Sequence, residues 1–384
     1  MDNIFDYQEN KRYFAQIAGH SEEVGAQELK NLGARDIETA YKGAHFTADR
    51  KVLYKINYMA RIITRVLAPL VNFHCPDTDI LYDEARKIPW ENIFNNKQSF
   101  AIFSNINIKS SQIYHSKYAA LKLKDAIVDR FRDKTGQRPD VNTKNPEVVF
   151  NLYIQNDQAT ISLDTSGDSL HRRGYRLESG PAPMQETVAA TMLHLSKWDG
   201  ENKLYDPMCG SGTILCEALM KYCNIPAGYL RPDFGFQYLP DFDQSLWEKV
   251  KDKCDSNIRA LDPGLIKGSD ISSDMIKMAR KNCSQLPYGD RIILSVKAFQ
   301  DIKDLSNMTI ITNPPFGVRM GNKNNMEQLY IEFSKKLKEL GSGSKVVVYS
   351  GKPKLLDNIW MKSDWQTVLV NGGLEGKAAQ YQVY

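Results

Sequence analysis

The sequence predicts an α/β protein: a parallel sheet with helices on both faces, preceded by a smaller α+β region. Three observations carry this. From Met184 onward, short apolar runs (KLYDP at 203–207, LIKGSDI at 265–271, IILSV at 292–296, MTIITNPP at 308–315, KVVVYS at 345–350) alternate with helical segments. Runs of this kind form parallel strands buried on both faces. Before residue 165, helices and strands occur in mixed order, which suits a small α+β unit. Between the two, residues 165–183 (TSGDSLHRRGYRLESGPAP) are rich in Gly, Ser, Pro and Arg and read as a linker crossing between domains. The expected division is therefore 1–164, a linker at 165–183, and 184–384.

In chain order, Val52–Leu70 has apolar residues at helical spacing and predicts one helix. Ser99–Ile108 alternates and predicts a strand. Lys117–Lys134 predicts an amphipathic helix with Leu123, Ile127 and Phe131 on one stripe, ended by Gly136 and Pro139. VVFNLYI (148–154) and ATISLD (159–164) follow as strands. The stretch 227–250 (AGYLRPDFGFQYLPDFDQSLWEKV) reads as an insertion in the second domain.

Composition excludes several classes. Hydrophobic residues make up 42% and charged residues 25% of 384, ordinary for a globular protein. The net charge of +4 does not by itself argue for nucleic acid. The six cysteines (75, 209, 216, 223, 254, 283) form no C-x-x-C pair. A disulfide framework or a bound metal is not expected, and a cytoplasmic location is; Cys216 and Cys223 read as buried small hydrophobes. The start, MDNIFDYQENKR, is not a signal peptide. No apolar run reaches the ~18 residues a membrane helix needs.

Asp206-Pro-Met-Cys-Gly-Ser-Gly212 follows a short strand and opens a helix. Gly210 and Gly212 allow a tight turn and close approach of a ligand. The third glycine of a dinucleotide fingerprint and the Gly-Lys-Ser/Thr of a P-loop are both missing. An acid before a G-x-G loop suits S-adenosylmethionine, which presents an ammonium where a dinucleotide presents a pyrophosphate. Asp270 ends a strand and precedes a helix; it can accept both ribose hydroxyls or cap the helix. Asp301, after a third strand, can accept from an adenine amino group or lie solvated in a loop.

Asn313-Pro-Pro-Phe-Gly317 ends the strand MTIIT. Consecutive prolines stiffen the backbone and remove two donors. The Asn313 side-chain carbonyl and the Pro314 carbonyl are then two acceptors at fixed spacing. They can hold both hydrogens of an exocyclic amine and aim its lone pair at an electrophilic methyl group. Phe316 offers a face on which an extruded base can stack. Such a displacement rests on proximity and orientation. A nucleophilic cysteine, as in pyrimidine C5 methylation, would need a Pro-Cys site, and this strand has none.

DPMCGSG, GSDIS and NPPFG, in this order, resemble the pattern of amino-methyltransferases with a Rossmann-like fold. The resemblance extends over nearly the whole chain. LYKINYMARIITRVL, IPWE, KLKDAIVDRFRDKTGQRPDV, SLDTSGDSLHRRGYR, APMQETVAATML and PAGYLRPDFGF are similar to bacterial THUMP-domain RNA methyltransferases, whose best-known members are the large-subunit ribosomal RNA guanine-N2 methyltransferases of the L type. That resemblance implies a ferredoxin-like plus THUMP region binding structured RNA, and a catalytic domain using S-adenosylmethionine to make N2-methylguanine in 23S rRNA. It implies that Asp206, Cys209, Gly210 and Gly212 line the cofactor loop, that Asp270 holds the ribose and Asp301 the adenine, and that Asn313, Pro314, Pro315 and Phe316 form the catalytic loop. Pro183–Thr187 would lie near the methionine end. Position 316 is Phe where Tyr is commonest, a change that preserves stacking. The second methyltransferase domain of fused members does not follow in this sequence.

Between Lys109 and Arg138 lie eight Lys/Arg and three Asp, a local excess of +5. Lys117, Lys122, Lys124, Arg130 and Arg138, with Arg172 and Arg173 in the linker, are the candidate RNA contacts. The expected partner is RNA, as rRNA or within a pre-ribosomal particle. Guanine-N2 methylation of tRNA, adenine-N6 methylation of DNA, glutamine methylation of protein and a non-enzymatic RNA scaffold are the alternatives.

Overall fold

The computed structural model describes residues 5–107, 113, 115–180, 183–317 and 323–384. Two sheets organise it. The first is built from α1 (Asp6–Asn10), β1 (Arg12–Gln16), α2 (Glu22–Leu32), β2 (Arg35–Ala40), β3 (Gly43–Thr47), α3 (Arg50–Met59) and β4 (Arg65–His74). It continues through α4 (Thr78–Lys87), β5 (Ser99–Asn107), α5 (Ser116–Thr135), β6 (Asp140–Val141), β7 (Val148–Gln155) and β8 (Gln158–Asp164). The strands form one eight-stranded sheet in the order β2-β3-β1-β4-β8-β7-β5-β6. β4 and β8 join its two halves in antiparallel register, from Leu67 opposite Asp164 to His74 opposite Gln158. Phe46, Ala68, Leu152 and Ile161 on the strands share one core with Leu29, Leu53, Leu81 and Leu123 on the helices.

The predicted helix over Val52–Leu70 is two elements. α3 stops at Met59, Ala60 is extended, and the chain returns as β4. Leu67, Ala68 and Leu70 fit an apolar stripe at either spacing; pairing with β1 and β8 makes them strand. Pro69 sits beside a shift of register, where a missing N–H is tolerated. α5 buries Leu123, Ile127 and Phe131 and ends at Gly136 with φ 71°. Ile108 and Lys109 lie outside the described residues.

The second sheet is built from α6 (Glu186–Leu195), β9 (Leu204–Asp206), α7 (Thr213–Tyr222), α8 (Gln244–Asp255), β10 (Ile266–Asp270), α9 (Ser273–Cys283) and β11 (Ile293–Val296). β12 (Thr309–Thr312), α10 (Lys323–Leu340), β13 (Lys345–Ser350), β14 (Ser363–Asn371) and β15 (Leu374–Gln382) complete it. Its order is β11-β10-β9-β12-β13-β15-β14. The first five strands are parallel and β15 runs antiparallel between β13 and β14. Val346, Val347 and Val348 are wholly buried, as strands covered on both faces require.

The insertion at 227–250 binds the two sheets together. Trp247 meets Tyr58 of α3 edge-on at 5.3 Å and Phe236 at 5.1 Å, and Phe236 stacks on Tyr54 at 4.6 Å. The expected linker is packed as well: Thr165, Ser166, Arg173 and Tyr175 are buried. Arg173 faces Glu217 of α7 at 3.3 Å, and Tyr175 donates to the same carboxylate at 3.1 Å. Arg61 donates to the Met220 and Ile225 carbonyls at 2.8 Å each.

Candidate functional site

Three neighbouring strand ends build the site. Gly268 of β10 pairs with Asp206 of β9, and Ile310 of β12 pairs with Tyr205. The ends carrying Asp206, Asp270 and Asn313 therefore open on one edge of the sheet. From β9 the strand order runs to β10 and β11 on one side and to β12 on the other. The crevice left by such a reversal is where open α/β sheets take their ligands.

The glycine loop turns tightly, with the Cys209 N–H donating to the Ser269 carbonyl and the Gly212 N–H to the Cys209 carbonyl, each at 2.9 Å. Gly210 and Gly212 have φ of 53° and 87°. Their roles differ from the expectation that both admit a ligand. A Cβ on Gly210 would meet no atom within 4 Å, whereas one on Gly212 would stand 3.2 Å from the Ala279 Cβ. Gly210 leaves the crevice open; Gly212 lets α7 close on α9. The Cys209 side chain is buried, and burial pushes its thiol well above the ordinary value. It packs beneath the loop, so Cys209 contributes backbone to the site.

Asp270 accepts from the Gly210 N–H through Oδ2 and from the Ser272 N–H through Oδ1, each at 2.9 Å. The cap of α9 is Ser272, whose hydroxyl accepts from the Met275 N–H at 3.4 Å. The Asp270 carboxylate thus braces the glycine loop and stays partly exposed. Asp206 is 1% exposed. Burial pushes its carboxyl up to about 7, and the Asp270 charge adds to this, against a hydrogen bond from the Met208 N–H at 3.2 Å. Asp301 is exposed, at the end of a turn following β11.

Asn313 stands at the end of β12. Its Oδ1 is buried and has no hydrogen-bond partner among the described residues. Such an orphaned acceptor costs about 1–3 kcal/mol, and a donor brought to this point would relieve that cost. Pro314 is buried and Pro315 exposed. The Phe316 ring is held against the end of β13: a Cβ on Gly351 would come within 2.7 Å of it.

A family model described as RMKL-like, methyltransferase domain, matches residues 173–380, and models of a THUMP domain and an RlmL ferredoxin-like domain match 75–164 and 12–67. The chain belongs to the RMKL-like methyltransferase family. It is 36% identical to the "Putative RNA methyltransferase slr0064" of Synechocystis sp. over 97% of both chains. It is 34% identical to the ribosomal RNA large subunit methyltransferase K/L of Syntrophotalea carbinolica over 97% of this chain but 53% of that one. The chain thus spans about half the length of its K/L relatives. SMU.472, crystallised with SAH, superposes with a TM-score of 0.85 at 27% identity over 97% of this chain and 98% of that one.

The cofactor of this methyltransferase is S-adenosylmethionine, and the crevice fits it. Gly210 leaves open space. Asp270 offers spare lone pairs for ribose hydroxyls and Asp206 a carboxylate for an ammonium. Ile271, immediately after Asp270, is 75% exposed and presents an apolar surface suited to a purine ring. No motif in the sequence marks Ile271; its signal is an apolar residue standing between Asp270 and the Ser272 cap. Asn282 of α9 is a second such residue. Its Nδ2 donates to the Ser211 carbonyl at 3.0 Å and the Glu178 carbonyl at 2.8 Å, and its Oδ1 accepts from Leu177 N–H at 2.9 Å. It staples the linker to the glycine loop, and no local motif announces that. In the segment expected near the methionine end, Arg176 donates to the Met184 carbonyl at 2.7 Å and the Gln185 N–H donates to Asn371 at 2.8 Å.

The expected RNA contacts divide. Arg173 is wholly buried against Glu217, so it is no surface contact; its charge is bound into the domain junction. Arg130 is held by Glu91 at 2.7 Å, Lys122 faces Asp79 at 3.4 Å, and Lys124 pairs with Asp125. Arg172 is exposed beside Asp168 at 3.1 Å. Lys117 and Arg138 are exposed. No helix among the described residues is long and apolar enough to cross a membrane.

Proposed function

We propose that this methyltransferase transfers a methyl group to the exocyclic N2 of a guanine in 23S ribosomal RNA, free or within a pre-ribosomal particle, in the cytoplasm and without a metal. The observation that carries the reading is the orphaned Asn313 Oδ1 at the mouth of the cofactor crevice. A buried acceptor at that point suits an amine donor. The THUMP match and the names of the K/L relatives support an RNA substrate.

When bound, S-adenosylmethionine supplies a methyl group on a sulfonium, electrophilic toward an amine. The protein's part is placement. The Asn313 Oδ1 and the Pro314 carbonyl accept the two amine hydrogens and so fix the direction of the nitrogen lone pair. The absence of N–H groups on Pro314 and Pro315 keeps competing donors from those acceptors. Phe316 stacks on the extruded base, its own ring backed by Gly351. Asp270, braced by Gly210, binds ribose, Asp206 balances an ammonium, and Asp301 accepts from the adenine amine.

Incubation with methyl-labelled cofactor and separate pools of rRNA, tRNA, DNA and protein, followed by mass spectrometry of the labelled pool, tests the reading. N2-methylguanine in 23S rRNA is expected. Label in tRNA, or in adenine of DNA, would replace it.

A further inference from the structure

We propose that the face of the eight-stranded sheet turned away from its helices is a stacking platform for unpaired nucleotides of the RNA substrate. The proposal rests on the RNA-methyltransferase reading above and locates a contact surface which that reading leaves open.

The pairing register decides what the face carries. Phe103 of β5 lies opposite Asn151 of β7, and Asn105 opposite Tyr153. Asn151 lies opposite Ser162 of β8, and Tyr153 opposite Thr160. Thr160 lies opposite Asn72 of β4, and its hydroxyl accepts from the Asn72 amide at 2.7 Å. Partners across a register share a face. The alternate set, Phe150, Leu152, Ile154, Ile161 and Leu163, is buried in the core under the helices. Toward the Asp164 end the outer set is covered: Leu67, Ala101 and Val149 are buried. Farther along it is bare, with Phe103 46% exposed and Asn105, Asn72, Gln155 and Gln158 all exposed.

A bare sheet face ordinarily carries charge or short polar side chains. This one carries the rings of Phe103 and Tyr153, with a cation seated on the first. The Arg65 guanidinium lies over the Phe103 ring at 5.5 Å although their strands are not neighbours, so the face curls inward. At the β2–β3 turn, Tyr41 is 79% exposed and the Lys42 ammonium lies 5.1 Å from its ring centre. Rings beside cations, among amides that both donate and accept, are the groups an unpaired base and its phosphate require. Asp164 and Glu38 on the same face are each matched by an arginine, which leaves the surface open to a polyanion. A protein partner would call for a continuous apolar patch, and the amides around Phe103 interrupt one.

The α5 helix lies on the opposite side of the sheet, and several of its cations are matched by carboxylates. The sheet face is thus a second contact surface, distinct in its chemistry: it selects unpaired bases, whereas the helix offers charge alone.

The test uses the full chain and two probes of equal charge, a short unstructured oligoribonucleotide and a blunt RNA duplex. The parent is expected to bind the unstructured probe more tightly. Phe103→Ala and Tyr153→Ala should each weaken that binding roughly tenfold, the loss of one stacked base, while Phe103→Trp restores it and cofactor affinity stays unchanged. Parent-like binding by both alanine variants, or equal affinity of the parent for the two probes, would overturn the platform. Methyl transfer by the parent to 23S rRNA is scored in parallel. Its absence removes the functional reading; its presence with indifferent alanine variants removes the platform alone.

Discussion

The two sheets present their candidate functional residues in different ways. In the seven-stranded sheet, Asp206, Gly210, Asp270 and Asn313 sit within a few positions of a strand's C-terminal end, because side-by-side parallel strands deliver those ends to one crevice. Asp206, Asp270 and Asn313 are far apart in sequence and adjacent in space through two pairings, β9 with β10 and β9 with β12. In the eight-stranded sheet, the candidate surface is spread over β4, β5, β7 and β8, one residue in two, and no contiguous motif marks it. Strand ends therefore concentrate chemistry into short motifs, and a sheet face disperses it into a register.

The largest expected effect tests the junction that holds the two sheets together. Glu217→Ala leaves Arg173 buried without its carboxylate, and breaking a buried pair of this kind costs about 3–5 kcal/mol. Denaturant unfolding of the variant should show that loss. A variant as stable as the parent would mean that the aromatic insertion and the Arg61 contacts hold the two regions without this pair.

Next comes Asn313→Ala. Removing a positioned acceptor from the reacting amine should lower methyl transfer on the order of a hundredfold or more. Cofactor affinity, measured by calorimetry, should be nearly unchanged; an equal loss of both would move Asn313 from the substrate to the cofactor.

Asp270→Ala should do the reverse. A hydrogen bond to a charged acceptor contributes roughly 1.5–3 kcal/mol, so cofactor affinity should fall by roughly tenfold to a hundredfold, and saturating cofactor should recover much of the rate. Because Asp270 also braces Gly210, Asp270→Asn, which keeps an acceptor, should lose less.

Asp206 gives a pH dependence. Its carboxyl is raised from 3.8 to about 7 in the cofactor-free chain. The native state therefore holds a proton that the unfolded chain has released between those values. This group's contribution to stability is complete below about 4 and is lost as pH rises through about 7. An ammonium brought by the cofactor favours the ionised form, so binding below pH 7 should release a fraction of a proton. Calorimetry in buffers of different ionisation enthalpy reads that release, and Asp206→Asn should abolish it. Proton uptake on binding would contradict the assigned role.

The smallest effect concerns the basic helix. Neutralising Lys117 and Arg138 should weaken RNA binding by less than about tenfold and reduce the slope of affinity against salt by about one for each phosphate that is no longer neutralised. A loss greater than that of Phe103→Ala would reverse the proposed order of the two surfaces.

By itself the sequence determined the five parallel strands of the second domain and its motifs, but not the antiparallel pair β14 and β15 that completes the sheet. Local signals sufficed for those strands and motifs: strand ends, a G-x-G turn and an N-P-P loop act over a few bonded neighbours. It determined the α5 stripe for the same reason. It did not determine that Val52–Leu70 divides into helix and strand, since Leu67 and Leu70 satisfy either spacing until β1 and β8 claim their backbone. Nor did it reveal that Arg173 is buried, because Arg173 and the exposed Arg172 are adjacent and only Glu217, 44 residues away in the chain, tells them apart. Gly210 and Gly212 look alike in the motif; α9 alone makes one an opening and the other a packing contact. Tertiary structure decided these points because each depends on a partner distant in sequence, and a pattern of local spacing holds no information about which distant groups the fold will bring into contact.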